Sequence, residues 1–271
     1  MWQLSAGFVF LTLTLVLGGP VHIHMHPEVA IVDYNGPLHH EIFQIIRGVE
    51  ILEIINSNIT RMDGNMVSKL PKLKKIVFIN CTVDVDAVDI ENLFEGAVNL
   101  REFIARHIYA RELHPEIIRK LPIEVYIMTD NHFPKIPGNL FNETKLRVLD
   151  LARNHLETID EAAFNGLNLL EKLDLSTNKL TNLPENALKP LKALKILILK
   201  ENKFTKFNIK SLANLPSLVE LDLSSNPLQE VDLDGVEKFT PNLRSIDISG
   251  SSLTENQLKD LKTMYTGILK L

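Results

Sequence analysis

One eight-residue motif recurs at a fixed interval and constrains the fold of this chain more than any other feature. LDLSTNKL at residues 173–180 is matched by LDLARNHL at 149–156, LILKENKF at 197–204 and LDLSSNPL at 221–228. The asparagines of these four copies are spaced 24 residues apart along the chain. Because a constant period of this length is typical of stacked repeats, we expect a solenoid in which each repeat packs on its neighbours.

Weaker copies extend the series to nine units, which start at residues 52, 76, 103, 126, 149, 173, 197, 221 and 246. In each unit two apolar residues flank one residue between them, and this period of two predicts a short strand with the middle side chain pointing outward. The remaining residues of each unit are enough for a crossover to a parallel strand. An Asn side chain can bond both donors and acceptors of the turn after the strand. We therefore predict a buried ladder of Asn131, Asn154, Asn178, Asn202 and Asn226. Cys81 is a small substitute in this column, whereas Ile108 cannot bond and predicts a distorted turn.

The stretch LEKLDLSTNKL at 170–180 shows the pattern L-x-x-L-x-L-x-x-N/C-x-L, which resembles the leucine-rich repeat. A length near 24 residues, with Phe141 and Phe164 late in their units, is similar to the typical extracellular animal type, although the cysteine-rich flanking caps of that type are missing. The resemblance implies an α/β-type solenoid, a leucine-rich repeat horseshoe with a concave parallel sheet of about nine strands and an irregular convex side.

The two ends of the chain differ from the repeats. Residues 1–19 contain an apolar run, Phe8 to Leu17, followed by Gly18-Gly19-Pro20, which predicts a secretory signal peptide. Residues 20–48 are expected to form the N-terminal segment and cap, with Ile42, Phe43, Ile45 and Ile46 covering the first of the repeats, which occupy 49–253. Thr254 and Gln257 resemble a capping box and predict a helix over 255–268, so that 254–271 is the C-terminal capping helix.

Cysteine content and sequons agree with secretion. The chain has a single cysteine, so no internal disulfide framework can form, and Cys81 is expected to be buried and inert. Three Asn-x-Thr sequons predict glycosylation, of which Asn142 is expected to be more accessible than Asn80; the three acceptors are Asn58, Asn80 and Asn142. The predicted location is extracellular.

Outward positions of the strands predict a binding surface on the concave face. The central outward column reads Glu53, Val77, Ile104, Ile127, Asp150, Asp174, Ile198, Asp222 and Asp247. The aspartates are typical of the repeat scaffold itself, whereas the apolar first half indicates a partner or assembly contact, unless the N-terminal cap folds over it. The predicted binding residues are Val77, Ile79, Ile104, Arg106, Val125, Ile127, Asp150, Arg153, Asp174, Lys200 and Asp222.

Two classes of function fit these features. The first is a secreted recognition module for a protein ligand or receptor, or for a microbial or lipid ligand, in innate immunity or extracellular signalling; its apolar half would also suit a homodimer. The alternative is a matrix or adhesion component similar to the small leucine-rich proteoglycans. A formal charge of −5 gives no support for a nucleic-acid partner, and no long apolar segment predicts a membrane span.

No enzyme activity, cofactor or metal site is predicted. His132 and His155 could be drawn as a hydrolytic set with Asp150 or Asp174 and Ser176, but the repeat itself accounts for their spacing. No nucleophile motif, phosphate loop or metalloprotease helix is present in the sequence. The alternating His22, His24 and His26 would suit zinc or copper, against the alternative of a solvated tail.

Overall fold

The structure is a computed structural model that describes residues 3–5, 8–15, 19–26, 29–38, 43, 46–62, 66–83, 94, 96–113, 116–119 and 121–271. The chain divides into two compact units, Met1–Asn131 and His132–Leu271. Each unit is built on a parallel ladder of short strands, as the repeat pattern predicts.

The first unit contains nine strands among its described residues. They are β1 (Gln3–Ser5), β2 (Phe8–Leu15), β3 (Gly19–His26), β4 (Val29–Leu38), β5 (Ile51–Met62), β6 (Lys75–Ile79), β7 (Thr82–Val83), β8 (Glu102–Arg106) and β9 (Val125–Ile127). Strands β1 to β4 pair antiparallel in sequence order, and β4, β5, β6, β8 and β9 then pair parallel, with β7 added beside β5. A 3-10 turn at Met66–Lys69 and the short helix α1 (Glu116–Arg119) lie in the connections.

The second unit repeats the same plan more regularly. Its strands are β10 (Lys135–Ile136), β11 (Val148–Asp150), β12 (Thr158–Ile159), β13 (Lys172–Asp174), β14 (Ile196–Ile198), β15 (Lys206–Asn208), β16 (Glu220–Asp222), β17 (Glu230–Asp232), β18 (Ser245–Asp247) and β19 (Leu269–Lys270). Strands β11, β13, β14, β16, β18 and β19 form the main parallel ladder, while β10 pairs with β12 and β15 with β17 in the connections. A 3-10 turn at Ile209–Leu212 and helices α2 (Val236–Phe239) and α3 (Glu255–Met264) complete the unit.

All nine predicted repeat strands are present, and their registers place equivalent apolar residues side by side. In the second unit Leu149 pairs with Leu173, Leu173 with Leu197, Leu197 with Leu221, and Leu221 with Ile246. These side chains are almost completely buried. Since each buried leucine contributes about 1.5–3 kcal/mol and its partners come from adjacent repeats, the repeats stabilise one another.

The asparagine ladder is confirmed. In the second unit the side-chain oxygen of Asn178 accepts the N–H of Leu156 at 3.0 Å, and that of Asn202 accepts the N–H of Leu180 at 3.0 Å. Their amide nitrogens donate back to carbonyls of their own repeat and of the preceding one. The ladder therefore satisfies buried backbone groups that would otherwise cost about 1–3 kcal/mol each.

A second column explains why the ladder is needed. The residue before every ladder position has left-handed backbone, with φ between 48° and 71°; these residues are Asn56, Asn80, His107, Asp130, Arg153, Thr177, Glu201, Ser225 and Gly250. Eight of the nine carry a side chain, for which this conformation costs roughly 1–2 kcal/mol. The hydrogen bonds of the ladder offset that cost by fixing the turn.

The distorted turn predicted at Ile108 is also present. Ile108 is half-buried, and the following Tyr109 has a left-handed φ of 59°, a feature that the other described repeats lack at this position. The side-chain oxygen of Asn131 accepts both the Ile108 N–H at 3.1 Å and the Ala110 N–H at 3.2 Å. Asn226 accepts the Asn202 and Phe204 N–H groups in the same way, so the bonds from the following repeat are kept at the Ile108 turn.

The N-terminal segment contributes more than a cap. Phe43 and Ile46 are buried as predicted, and Ile42 and Ile45 lie outside the described residues. Strand β4 pairs parallel with β5, so the parallel ladder begins one strand before the predicted boundary at residue 49. The predicted signal peptide, residues 1–19, includes β1 and β2, and its cleavage stays a prediction.

The capping box at the C-terminal helix is confirmed. The Thr254 hydroxyl accepts the N–H of Gln257, and the Gln257 side chain accepts the N–H of Thr254 at 2.9 Å. Helix α3 ends at Met264 and not at residue 268, and the chain then adds β19 beside β18. The helix is therefore a connection between two strands as well as a cover for the core, into which it buries Leu261.

Candidate functional site

The candidate site is the solvent face of the parallel strands in each unit. We call it the sheet face of that unit and define it as the outward side chains of its repeat strands. The three residues of β11, β13, β14 and β18 alternate half-buried, buried and half-buried. Each of these four strands therefore presents two outward side chains, at the inter-strand spacing of about 4.8 Å.

The aspartates of the second unit have a structural role that the sequence analysis favoured. Oδ1 of Asp150, Asp174, Asp222 and Asp247 accepts the N–H two residues further on, at 2.9–3.0 Å. Asp174 and Asp247 also accept the hydroxyl of the serine at that position, at 2.7 and 2.6 Å. These carboxylates are held in place before any ligand binds, so little side-chain entropy remains to be lost.

Electrostatics couples neighbouring carboxylates of this column. Burial raises the pKa of Asp150, and the negative charge of Asp174 on the next strand raises it further. The hydrogen bond from the Ala152 N–H and the positive charges of Lys172 and Arg153 act in the opposite direction. The sheet face of the second unit is thus acidic and only partly neutralised.

One strand of the second unit interrupts the acidic column. Ile196 and Ile198 of β14 are half-buried, and they pair with Lys172 and Asp174 on one side and with Glu220 and Asp222 on the other. We call these six residues the β14 patch. An apolar centre within a charged rim is the composition typical of protein interfaces.

Sequence reasoning did not select Ile196 or Ile198 as binding residues. The signal was available, since Ile198 stands where four of the other strands in the second half carry aspartate. Asp174 and Asp222, which were predicted, flank Ile198 in the structure. Lys200 lies two residues after the end of β14, and its ammonium lies 3.5 Å from the carboxylate of Glu201.

An ion ladder borders the β14 patch. Glu171 contacts both Arg147 and Lys195, the latter at 2.5 Å, and these three residues precede β11, β13 and β14. The hydrogen bond from Lys195, together with the charge of Arg147, holds the pKa of Glu171 below its usual range. The pairs are exposed, so their net contribution to stability is small.

The exposed apolar patch predicted for the first unit is wrong at two positions. Val77 and Ile104 are only 4% and 6% exposed. They pair with each other between Glu53 and Ile127, so branched side chains on adjacent strands cover one another. Both residues belong to the core, and substitutions there would affect folding before binding.

The other predicted binding residues remain accessible in part. Ile79 is 36% exposed and pairs with Arg106, which is exposed, while Val125 and Ile127 are half-buried. Arg153 is exposed at the left-handed position that follows β11, so it lies at the edge of the sheet face and not within it.

The sequons differ from the order expected from the sequence. Asn58 and Asn80 are exposed, whereas Asn142 is half-buried and the Thr144 hydroxyl donates to the Phe141 carbonyl in a buried position. The expectation that Asn142 is more accessible than Asn80 is therefore wrong. Within the described chain, Asn58 and Asn80 present the more open acceptor amides.

Cys81 lies where the sequence placed it. Its thiol is buried in the ladder column and donates to the carbonyls of Ile54 and Ile79, both at 3.3 Å. Burial raises the pKa of the Cys81 thiol, so the nucleophilic thiolate is disfavoured. Among the described residues, no group of three or more His, Cys, Asp or Glu side chains could hold a metal ion, and no helix is long and apolar enough to cross a bilayer.

Comparison with known proteins agrees with this architecture. The leucine-rich repeat family model matches residues 127–180 and 169–228, the most regular part of the ladder. Residues 127–228 of this chain are thus similar to the leucine-rich repeat family. No curated protein sequence gives a significant match to it.

Three solved structures have a fold similar to that of this chain. The TLR13–ssRNA13 complex is 20% identical with a TM-score of 0.69, over 88% of this chain and 37% of that chain. A leucine-rich repeat protein of Leptospira interrogans is 19% identical with a TM-score of 0.69, over 87% of this chain and 57% of that chain. A chain in the octameric complex of Latrophilin 3, Unc5D and FLRT2 is 20% identical with a TM-score of 0.54, over 83% of this chain and 69% of that chain. At these identities the similarity shows the fold, and the protein spans about a third to two thirds of these chains.

Proposed function

We propose that this leucine-rich repeat protein is a recognition module that binds a protein partner through the β14 patch. The observation that carries the proposal is the pair Ile196 and Ile198, two branched side chains on the sheet face between charged residues of both neighbouring strands. Apolar side chains in such a setting favour binding when a partner removes them from water. The hydrogen-bonded aspartates on either side keep the surface rigid.

A protein partner suits the surface better than a nucleic acid. Among the similar structures, TLR13 is in complex with ssRNA13, whereas FLRT2 is in a complex with Latrophilin 3 and Unc5D. On this chain four aspartates occupy the central column of the second unit, and the formal net charge is −5. Because nucleic-acid binding depends on cations that neutralise phosphates, we infer that the β14 patch does not bind RNA.

We propose an extracellular location for this activity. The apolar run from Phe8 to Leu17 supports a secretory signal, and the exposed acceptors Asn58 and Asn80 are available for glycans. No catalytic step is part of the proposal, since the sheet-face carboxylates serve the backbone turns. Mass spectrometry of protein secreted from cultured animal cells would check both the cleavage and the glycans.

The decisive experiment compares two substitutions of matched chemistry. Ile198→Arg places a charge at the centre of the β14 patch, and Leu169→Arg places the same charge on a leucine that is 50% exposed outside the strands. Both variants and the wild type are tagged and incubated with extracellular fluid, and the captured proteins are quantified by mass spectrometry. Circular dichroism confirms that each variant is folded.

We expect a partner captured by the wild type and by Leu169→Arg to be lost with Ile198→Arg. Equal capture of every partner by folded Ile198→Arg would overturn the proposal. A single-stranded RNA titration in parallel is expected to show no binding at moderate salt. Tight RNA binding that changes in Ile198→Arg would show that the β14 patch binds a nucleic acid and not a protein.

A further inference from the structure

Two histidines of the second unit lie side by side outside the sheet face. His132 and His155 each follow a ladder asparagine, Asn131 and Asn154, and therefore occupy equivalent positions in successive repeats. Both side chains are exposed. Their ring centres are 5.0 Å apart, and the ring planes are tilted by 59°.

The backbone around both histidines is fixed by the repeat. The His155 N–H donates to the Phe133 carbonyl at 3.1 Å, and the Phe133 N–H donates to the side-chain oxygen of Asn154 at 3.3 Å. Phe133, which follows His132, is therefore bonded to both His155 and Asn154 in the next repeat. The spacing of the backbone at the two histidines is thus set by the ladder, and a ligand that bridges them has to order only the two side chains.

The separation of the rings matches a shared metal ion. Zinc binds imidazole nitrogen at about 2.0–2.1 Å in tetrahedral geometry, which places the centres of two imidazoles on one ion about 5 Å apart. Imidazole is also a preferred ligand of copper and nickel. A pair held at this distance needs no movement of the backbone to chelate such an ion.

We propose that His132 and His155 form a two-imidazole site for a zinc-class divalent cation, with the remaining positions on the metal filled by water. Only two protein ligands are involved, which agrees with the finding that the described residues contain no cluster of three metal-binding side chains. The site is separate from the β14 patch, so its existence does not depend on the proposed protein partner.

The same column offers a direct way to rebuild the site one repeat further along the chain. Lys179 occupies the position of His155 one repeat later, and its backbone N–H donates to the Leu156 carbonyl at 2.9 Å. Its ammonium lies 3.4 Å from the carboxylate of Glu157. Lys179→His would remove a cation from the neighbourhood and pair a new imidazole with His155 at the spacing of one repeat, which forms a second two-imidazole pair.

Zinc titrations of the full chain test the proposal. Isothermal calorimetry with Zn²⁺ alone gives the affinity and stoichiometry, and long-range proton–nitrogen spectra of the imidazoles show which rings bind. The background protein carries His22→Asn, His24→Asn and His26→Asn, because these alternating histidines could bind zinc separately. His132→Ala and His155→Ala are compared with His107→Ala, an exposed histidine whose ring packs against Tyr109 at 5.1 Å.

We expect one zinc ion in the background protein, with shifts at the His132 and His155 rings. Either alanine variant should lose about tenfold or more in affinity, since a single imidazole cannot chelate, while His107→Ala changes nothing. Adding Lys179→His to His132→Ala should restore zinc binding, because the new imidazole pairs with His155. The absence of zinc binding in the background protein, or unchanged binding in His132→Ala and His155→Ala, would overturn the site.

Discussion

The side-chain oxygen of Asn178 accepts the backbone N–H of Leu156, which belongs to the preceding repeat, at 3.0 Å. The amide nitrogen of the same side chain donates to Leu151 of that repeat at 3.0 Å and to Leu175 of its own at 3.0 Å. One side chain thus joins the turns of two repeats. Because the same bonds recur at Asn202 and Asn226, the second unit is held by a continuous polar column as well as by its leucines.

Replacing Asn178 should therefore destabilise more than one repeat. Asn178→Ala removes the acceptor of the buried Leu156 N–H and the donor to three carbonyls, and we expect a loss of about 2–4 kcal/mol. Asn182→Ala, at an exposed position one turn later, should change stability by less than about 0.5 kcal/mol. Urea unfolding of both variants measures the difference, and equal midpoints would contradict the role of the ladder.

The regular part of this fold is readable from the sequence because each repeat uses the same residues for the same contacts. The strand positions, the ladder and the Thr254–Gln257 capping box follow from periodic leucines, column asparagines and one local motif. Even the irregular turn at Ile108 was predictable, since a side chain without polar atoms cannot close that turn.

The features that sequence reasoning missed depend on long-range pairing. Strand β4 joins the ladder through its register with β5, although its residues lack the leucine pattern. Val77 and Ile104 look outward by strand alternation, yet their neighbours bury them. The outward column already placed Ile198 between Asp174 and Asp222, but the register was needed to show that Ile196 lies beside it between Lys172 and Glu220.

Three glycines allow the strain of a left-handed backbone to be distinguished from a steric clash with neighbouring atoms. A Cβ at Gly166, where φ is 88°, would lie 2.8 Å from the Asn142 Cα and from the Phe141 carbonyl oxygen. Gly267 has a φ of 95° with nothing within 4 Å, and Gly48 has neither restriction. We expect Gly166→Ala to cost more than about 2 kcal/mol and Gly267→Ala roughly 1 kcal/mol, with Gly48→Ala near neutral. Thermal unfolding would show the order, and a Gly166→Ala variant as stable as Gly48→Ala would refute it.

The thiol of Cys81 should be unreactive in the folded protein. Its thiol is buried, its pKa is raised by that burial, and it is the only cysteine in the chain. We expect a thiol-specific chromogenic reagent to label less than about a tenth of the protein under native conditions and one thiol per chain in denaturant. Rapid native labelling would show that the ladder column opens near Cys81.

Asp150 should make the stability of the second unit depend on pH. Because burial raises its folded pKa above the ordinary value of 3.8, the ionised form that prevails at neutral pH is less favourable in the folded protein than in the unfolded chain. Its contribution to stability therefore increases as the pH falls through the folded pKa towards the unfolded one. Asp150→Asn keeps an oxygen that can accept the Ala152 N–H and removes the charge.

We expect Asp150→Asn to be modestly more stable than the wild type at about pH 7, and this advantage to shrink as the pH falls through the folded pKa of Asp150, where the wild type becomes protonated. Urea unfolding across this range measures the difference, with Asp234→Asn as the control at an exposed carboxylate. A gain that stays constant with pH would mean that the amide acts through packing. A loss of stability at neutral pH would mean that the attraction of Asp150 to Lys172 and Arg153 outweighs the cost of burying its charge.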